Sequence, residues 1–588
     1  MMGWVLCLLW IVLSLGVARA DEPSRAANPE DDFVMVESMI PMRDGVKLHT
    51  VVVSPKVIAK PMPMLLMRTP YGASGNVSER QVRLSSALGS RYAELDGYIF
   101  VFQDVRGRNG SEGTYELFRP LRGPFNATQT DQTTDAWDSI DWLIRNVPNS
   151  NGKVGMFGTS YDGWLVLAAL LEPHPALQVA VPMNPMVDLW KGDDAFHNGA
   201  FRLGYQLDYL YLMDSKPGSL PILPRDHFDL YNWWLKQGSA RDLQARYLPK
   251  SAMFARMLDR PAYDEFWQDA AIDRRLARSN ARLVPTLHVH SWFDQEDPYG
   301  APAAYAAMEE RDRHNDSNFF TAGPWSHGEN WSRGARIGQL DWDQATGPRW
   351  RAEVLAPFLA RHLKDGPPHG LANAVVFNTG SSRWDRLDAW PLAPGAKSRS
   401  LYMSDDGRVS WDPGAAGRDT YISDPRRPVP YQPRPIKSYY GDDTWRSEWS
   451  AWLLADQRFV DGRPDVLSFV SEPLAEPLTV RGNVTARLFA ETTGTDADWV
   501  VKLIDVFPDQ DPFNAQMSGY QLMISGEIFR GRYRESFSKP QAIAANRVLE
   551  YLIRQPQVNH TFRRGHRVMV QIQSSWFPLY DRNPQVFL

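Results

Sequence analysis

The chain has 588 residues and a formal net charge of −5, from 64 Lys and Arg against 69 Asp and Glu. Hydrophobic residues make up 43 %, and 22 Trp are spread along the length, which excludes a largely disordered chain. Length alone suggests several domains. The absence of any basic block disfavours a non-specific nucleic-acid binder.

Trp4–Val17 is an apolar run, and Ala18-Arg19-Ala20 places small residues at the two positions a signal peptidase reads. Residues 1–20 are therefore read as a signal peptide, because the run falls short of the roughly 20 residues that span a bilayer. The only cysteine, Cys7, lies inside it, so the exported chain would hold no disulfide. A bacterial periplasmic or secreted protein is expected, with no membrane association after cleavage.

Val46–Val53, Met64–Met67 and Tyr98–Gln103 read as strands, and Thr134–Arg145 as a helix with Trp137, Ile140, Leu143 and Ile144 on one face. Lys153–Phe157 is a strand, Gly158–Tyr161 a turn, Gly163–Leu171 an apolar helix and Gln178–Pro182 the next strand. This alternation predicts a parallel sheet covered on both faces. From about Trp190 to Asn280 strand signals vanish, and helical stretches at Tyr205–Met213, His227–Lys236 and Tyr263–Ala277 predict an insertion. Strands return at Leu283–His290 and Phe319–Ala322, followed by a helix near Arg351–Leu363. After Lys364-Asp365-Gly366-Pro367-Pro368 come short strands at Ala374–Asn378, Arg399–Met403, Leu478–Val480, Thr485–Glu491, Trp499–Val506 and Val568–Ile572, the pattern of a β sandwich.

Gly158-Thr159-Ser160-Tyr161-Asp162-Gly163 stands between a strand and a helix, where a sharp turn would expose the Ser160 hydroxyl near a helix N-terminus. The glycine comes three residues after the serine, not the usual two. A serine nucleophile needs a base and an orienting acid, in such sheets in the order Ser, Asp, His. Asp294 and His327 each follow a strand directly, at the edge of the sheet where open α/β folds place their sites.

These motifs carry a resemblance. Gly158–Gly163, Met42-Arg43-Asp44-Gly45-Val46, Arg68-Thr69-Pro70-Tyr71-Gly72, Gln103-Asp104-Val105-Arg106-Gly107 and Gly323–His327 resemble the X-Pro dipeptidyl-peptidase/cocaine-esterase group of serine hydrolases. Arg463–Leu467 and Asp496–Leu503 are similar to the jelly-roll region of that group. The resemblance implies an α/β-hydrolase fold at 21–189 and 281–368, a helical cap at 190–280 and a C-terminal β jelly-roll domain at 369–588. The group's pattern runs on beyond Leu588, so a β domain that is truncated or closes differently is expected.

Within the group the chain resembles in particular the α-amino acid ester hydrolases, which act as β-lactam antibiotic acylases. That resemblance implies Ser160, Asp294 and His327 as the triad, and the Tyr71 hydroxyl and Tyr161 backbone N–H as oxyanion donors. It further implies three carboxylates, Asp194, Glu296 and Asp297, that bind the substrate's α-ammonium group. Hydrolysis of α-amino esters or amides through an acyl-enzyme, or acyl transfer to β-lactam nuclei, is the expected function. The alternatives are an esterase or acylase of cocaine-esterase or glutaryl-acylase type without α-amino selectivity, or an X-Pro dipeptidyl peptidase. The resemblance implies a homotetramer. No cofactor is expected, and no metal, because Asp294-Gln295-Glu296-Asp297 lacks the glycine and further oxygen donors of a calcium loop.

Overall fold

The apolar runs of the first half pair into one mixed sheet. The structure is a computed structural model that describes residues 33–73, 95–214, 222–391, 397–440, 449–511 and 514–588. The expected signal peptide lies outside the described residues. The strands are β1 (Phe33–Pro41), β2 (Lys47–Pro55), β3 (Met62–Thr69), β4 (Ile99–Asp104), β5 (Ser150–Thr159), β6 (Leu177–Met183), β7 (Thr286–Ser291), β8 (Asn318–Gly323), β9 (Ala374–Asn378) and β10 (Arg383–Leu387). They form a ten-stranded sheet in the order β1-β2-β4-β3-β5-β6-β7-β8-β9-β10. Neighbours from β4 through β9 run parallel, while β1, β2 and β10 pair antiparallel at the edges. Every residue of β4, β7 and β8 is buried, as expected of central parallel strands covered on both faces.

Helix α1 (Gln132–Asn146) starts at Asp131, whose carboxylate accepts from the Thr133 and Thr134 backbone N–H groups while the Thr134 hydroxyl caps the Asp131 N–H. Helix α2 (Tyr161–Ala169) is buried all round. Between β6 and β7 lies the helical insertion, beginning with α3 (Leu203–Met213) and ending with α8 (Ile272–Arg278), with four shorter helices α4–α7 between them (Leu230–Leu235, Ala240–Tyr247, Ala252–Asp259 and Glu265–Ala270). A small hairpin, Phe196–His197 with Ala200–Phe201, opens the insertion where sequence signals suggested no strand.

The C-terminal part is largely antiparallel β structure. Strands β11 (Leu467–Val470), β13 (Asp498–Val506), β14 (Gln521–Arg530) and β16 (Arg567–Gln573) form a four-stranded sheet in the order β11-β16-β13-β14. A long ribbon of β12 (Leu478–Ala490) and β15 (Leu549–Phe562) lies on it, packing Leu488, Tyr551 and Ile553 against Trp499, Val501, Phe529 and Ile572. The two strands expected at 478–480 and 485–491 are one strand, irregular between Gly482 and Val484, where Gly482 takes a positive φ of 82°.

One expectation is corrected here. Ala374–Asn378 does not belong to the β half: it pairs parallel to β8 and, with β10, completes the first sheet. Five consecutive buried apolar or small side chains suit either sheet, and only the pairing partner decides between them.

Candidate active site

The nucleophile turn is shaped by close approaches. Ser160 sits between β5 and α2 at φ 66°, ψ −126°, a region that non-glycine residues rarely occupy. Its N–H donates to the Met183 carbonyl at 3.0 Å, and its own carbonyl accepts from the Trp164 N–H at 2.9 Å, so strand β6 and helix α2 hold it from both sides. A Cβ on Gly158 would stand 2.6 Å from the Asp162 backbone carbon, and one on Gly163 2.8 Å from the Met183 oxygen. The glycine at position 163 is therefore required where it stands, because it touches the end of β6.

Asp294, just beyond β7, is fully surrounded by donors. Its Oδ1 lies 2.9 Å from His327 Nδ1 and accepts from the Glu296 and Asp297 backbone N–H groups at 2.9 and 3.0 Å. Its Oδ2 accepts from Asn184 Nδ2 at 2.6 Å. Burial alone would raise its pKa, but His327 and the two N–H groups outweigh that and hold the carboxyl below the usual range. Gln295 Oε1 accepts from the His327 backbone N–H at 3.1 Å and fixes the histidine loop to the aspartate loop. That loop also meets the serine turn, since Trp331 Nε1 donates to Thr159 Oγ1 at 3.3 Å. His327 Nε2 has no hydrogen-bond partner among the described residues, which leaves it open toward the Ser160 proton it must take.

Glu296, Asp297 and Asp194 gather beside this histidine. Glu296 Oε1 accepts from Trp449 Nε1 at 2.9 Å and from Gln295 Nε2 at 3.2 Å; its Oε2 accepts from the Tyr205 hydroxyl at 2.9 Å and lies 3.6 Å from His327 Nε2. Asp194 is 3 % exposed, and its Oδ1 has no hydrogen-bond partner among the described residues. Burial, then Glu296, push its pKa up to about 7. Asp297 is wholly buried with both carboxyl oxygens unpartnered among the described residues. Burial and the neighbouring acids raise its pKa well above the ordinary carboxylate value. Arg202, at the start of α3, is spent on backbone: its guanidinium donates to the carbonyl oxygens of Gln295 and Glu296 and not to a carboxylate.

Tyr71, after β3, is 40 % exposed and its hydroxyl lies 3.1 Å from that of Tyr209. The confined setting of that hydroxyl and the nearby carboxylates of Asp162, Asp194 and Glu296 raise its pKa well above that of free tyrosine, so it remains a donor. Tyr161 is the first residue of α2, where a backbone N–H has no intrahelical acceptor. Its ring is buried against Phe118 at 5.2 Å, which leaves only its backbone to face a substrate. Sequence reasoning missed Asn184, Tyr205, Tyr209, Trp449 and Arg202. Asn184 alone carried a signal, as the polar residue at the end of a strand beside the nucleophile. Among the described residues, no group of three or more His, Cys, Asp or Glu is arranged to hold a metal ion.

A parallel sheet with a serine held at positive φ on a strand–turn–helix bend, and an Asp–His pair at neighbouring strand ends, define a serine hydrolase of α/β type. Residues 44–329 match the X-Pro dipeptidyl-peptidase (S15 family) model and 367–586 the X-Pro dipeptidyl-peptidase C-terminal non-catalytic domain. A solved α-amino acid ester hydrolase is 46 % identical with a TM-score of 0.89, over 98 % of this chain and 95 % of that one. The chain belongs to this family of S15, cocaine-esterase-like serine hydrolases. The cocaine esterase of Rhodococcus sp. (strain MB1 Bresler) is 29 % identical over 93 % of this chain and 91 % of its own. An aminopeptidase structure from the marine sediment archaeon Thaumarchaeota archaeon is 42 % identical with a TM-score of 0.90, over 97 % of this chain and 94 % of that one.

Proposed function

We propose that the chain hydrolyses esters and amides of α-amino acids through an acyl-enzyme on Ser160, and passes the acyl group to water or to an amine such as a β-lactam nucleus. His327 takes the proton from the Ser160 hydroxyl as its oxygen attacks the carbonyl. Asp294 holds the imidazole by Nδ1 and stabilises the imidazolium that forms. The Tyr71 hydroxyl and Tyr161 N–H meet the oxyanion. As the tetrahedral adduct collapses, His327 returns the proton to the leaving alcohol or amine. Water or an acceptor amine then attacks the acyl-enzyme by the same steps in reverse.

The observation that carries the substrate class is a crowded set of buried acids, one of which keeps an unmet acceptor. Asp194 Oδ1 is an acceptor with no donor, and Arg202 is committed to carbonyl groups. An α-ammonium group would supply a donor and a positive charge to Asp194 and Glu296, with buried Asp297 beside them. Tyr205, stacked with Tyr209 at 5.9 Å and Trp449 at 5.3 Å, holds its hydroxyl on Glu296.

The test is a panel of ester donors that differ only at the α-substituent. Amino donors should be preferred in kcat/KM, and Asp194→Asn should erase the preference; a preference unchanged in Asp194→Asn would overturn the assignment. A second reading, cleavage of an amino-terminal residue from peptides, rests on the likeness to the archaeal aminopeptidase. It uses the same ammonium site and predicts comparable rates on amino-acid anilides and esters. We further propose export to the periplasm or medium, and a homotetramer in solution.

A further inference from the structure

Glu296 faces the base nitrogen of His327. Oε2 of Glu296 lies 3.6 Å from Nε2 of His327, the nitrogen that must accept the serine proton. The other partners of the Glu296 carboxylate, Trp449, Gln295 and Tyr205, are neutral donors; His327 lies within ion-pair distance of it, and Arg202, bound to the Glu296 carbonyl, acts on it without a bond to the carboxylate. We propose, resting on the α-amino reading above, that Glu296 is a positioning residue that holds the Nε2 proton of His327 in the resting enzyme. The substrate's ammonium group relieves it of that task, so that α-amino donors switch on the base that acylates them.

The groups around His327 all bear on this. Asp294 meets Nδ1 and Glu296 faces Nε2 from the loop after β7. Asp194 acts from the segment before α3; Asp297, its pKa raised by burial and the neighbouring acids, lies near it, and Arg202 and Tyr205 stand at the start of α3. Tyr71 comes from the end of β3, and Glu329, on the histidine's own turn, is tied to the Ser326 N–H and hydroxyl. Burial lowers the proton affinity of the ring, but Asp294, Glu296 and Asp194 outweigh it and raise its pKa to about 10. A histidine in that state is protonated at neutral pH and cannot act as a base. When an ammonium group pairs with Glu296 and Asp194, two cations face one set of anions. His327 then releases its Nε2 proton to solvent and becomes neutral, and its free Nε2 lone pair can take the Ser160 proton. Linkage requires the converse: a protonated His327 weakens ammonium binding by the same factor.

The experiment measures kcat against pH for a phenylglycine ester and for its des-amino analogue, phenylacetic ester. The acidic limb of kcat reports groups in the substrate complex, whereas that of kcat/KM reports the free enzyme. The amino donor should show a kcat limb at least about one pH unit lower, worth about tenfold at a pH below both limbs, with kcat/KM limbs that coincide. Glu296→Gln, which keeps the shape of the side chain, should bring the des-amino kcat limb down to that of the amino donor. ¹⁵N NMR of His327 in Ser160→Ala should show the ring losing its proton on binding benzylammonium and keeping it with benzyl alcohol. Coincident kcat limbs in the wild type, or an imidazole that keeps its proton with benzylammonium, would overturn the coupling. These results are separable from failure of the substrate reading, in which amino donors would enjoy no kcat/KM preference at any pH.

Discussion

Tyr71→Phe removes one hydrogen from the mouth of the site and tests the oxyanion arrangement directly. Tyr71 is 40 % exposed, so the substitution leaves the core intact. One oxyanion donor is worth about 2.7–4 kcal/mol to the transition state and little to the ground state, so kcat should fall about 10²–10³-fold with KM nearly unchanged. The neighbouring Tyr209 refines the test. When Tyr71 donates to the oxyanion, its own oxygen is free to accept from Tyr209, 3.1 Å away, and that bond polarises the donor. A neutral hydrogen bond contributes about 1 kcal/mol, so Tyr209→Phe should lower kcat only about fivefold. If Tyr209 acts solely through Tyr71, the double variant equals Tyr71→Phe, a coupling that a double-mutant cycle reads out. Single-turnover acylation of a phenylglycine ester, measured by rapid mixing, isolates the step. A Tyr71→Phe enzyme that acylates within about threefold of the wild type would refute Tyr71 as an oxyanion donor.

Other substitutions follow from the same geometry. Asn184→Ala removes the 2.6 Å donor to Asp294 and leaves that oxygen unpaired; a charge-assisted bond of about 1.5–3 kcal/mol predicts a loss of about 10–100-fold in kcat, and an unchanged kcat would show that Asp294 is oriented without it. Gly158→Ala places a methyl 2.6 Å from the Asp162 backbone, so a loss of about 1–3 kcal/mol in stability and slowed fluorophosphonate labelling of Ser160 are expected; labelling at the wild-type rate would contradict the tight turn. Lys502 is wholly buried, donates to Gln457 Oε1 at 2.8 Å, and burial lowers its amine from 10.5 to about 7. The folded state therefore holds fewer protons than the unfolded one between about pH 7 and 10.5, and stability rises with pH across that window. The penalty is complete below it, at most about 5 kcal/mol before the lost Gln457 bond is counted against it. Lys502→Met should raise the unfolding midpoint near pH 6 and do so less near pH 10; a pH-independent difference would count against a buried, titrating amine.

Much of the fold could be read from local pattern. The buried parallel strands announce themselves by apolar stretches such as residues 99–102 and 319–320, and the serine turn shows as small residues crowded between a strand and a helix. Sheet membership was less legible. Ala374–Asn378 carries the same apolar signal in either sheet, and its pairing with β8 depends on a partner more than fifty residues away. The need for a glycine at position 163 became intelligible only once the Met183 oxygen was seen close to where a Cβ would fall.

For the site, the amino-acid sequence by itself determined which side chains have the chemistry: an alcohol at a turn, an imidazole and a carboxylate at strand ends, and further acids nearby. Their charge states were decided by tertiary structure alone. Asp194, Glu296 and Asp297 are all ordinary carboxylic acids in the chain, yet burial and mutual repulsion raise the pKa of Asp297 well above its ordinary value, and three neutral donors fix Glu296 against His327 Nε2. Proton affinity depends on what surrounds a group within a few ångströms, and those neighbours, from α3, the loop after β7 and Trp449, are far apart along the chain.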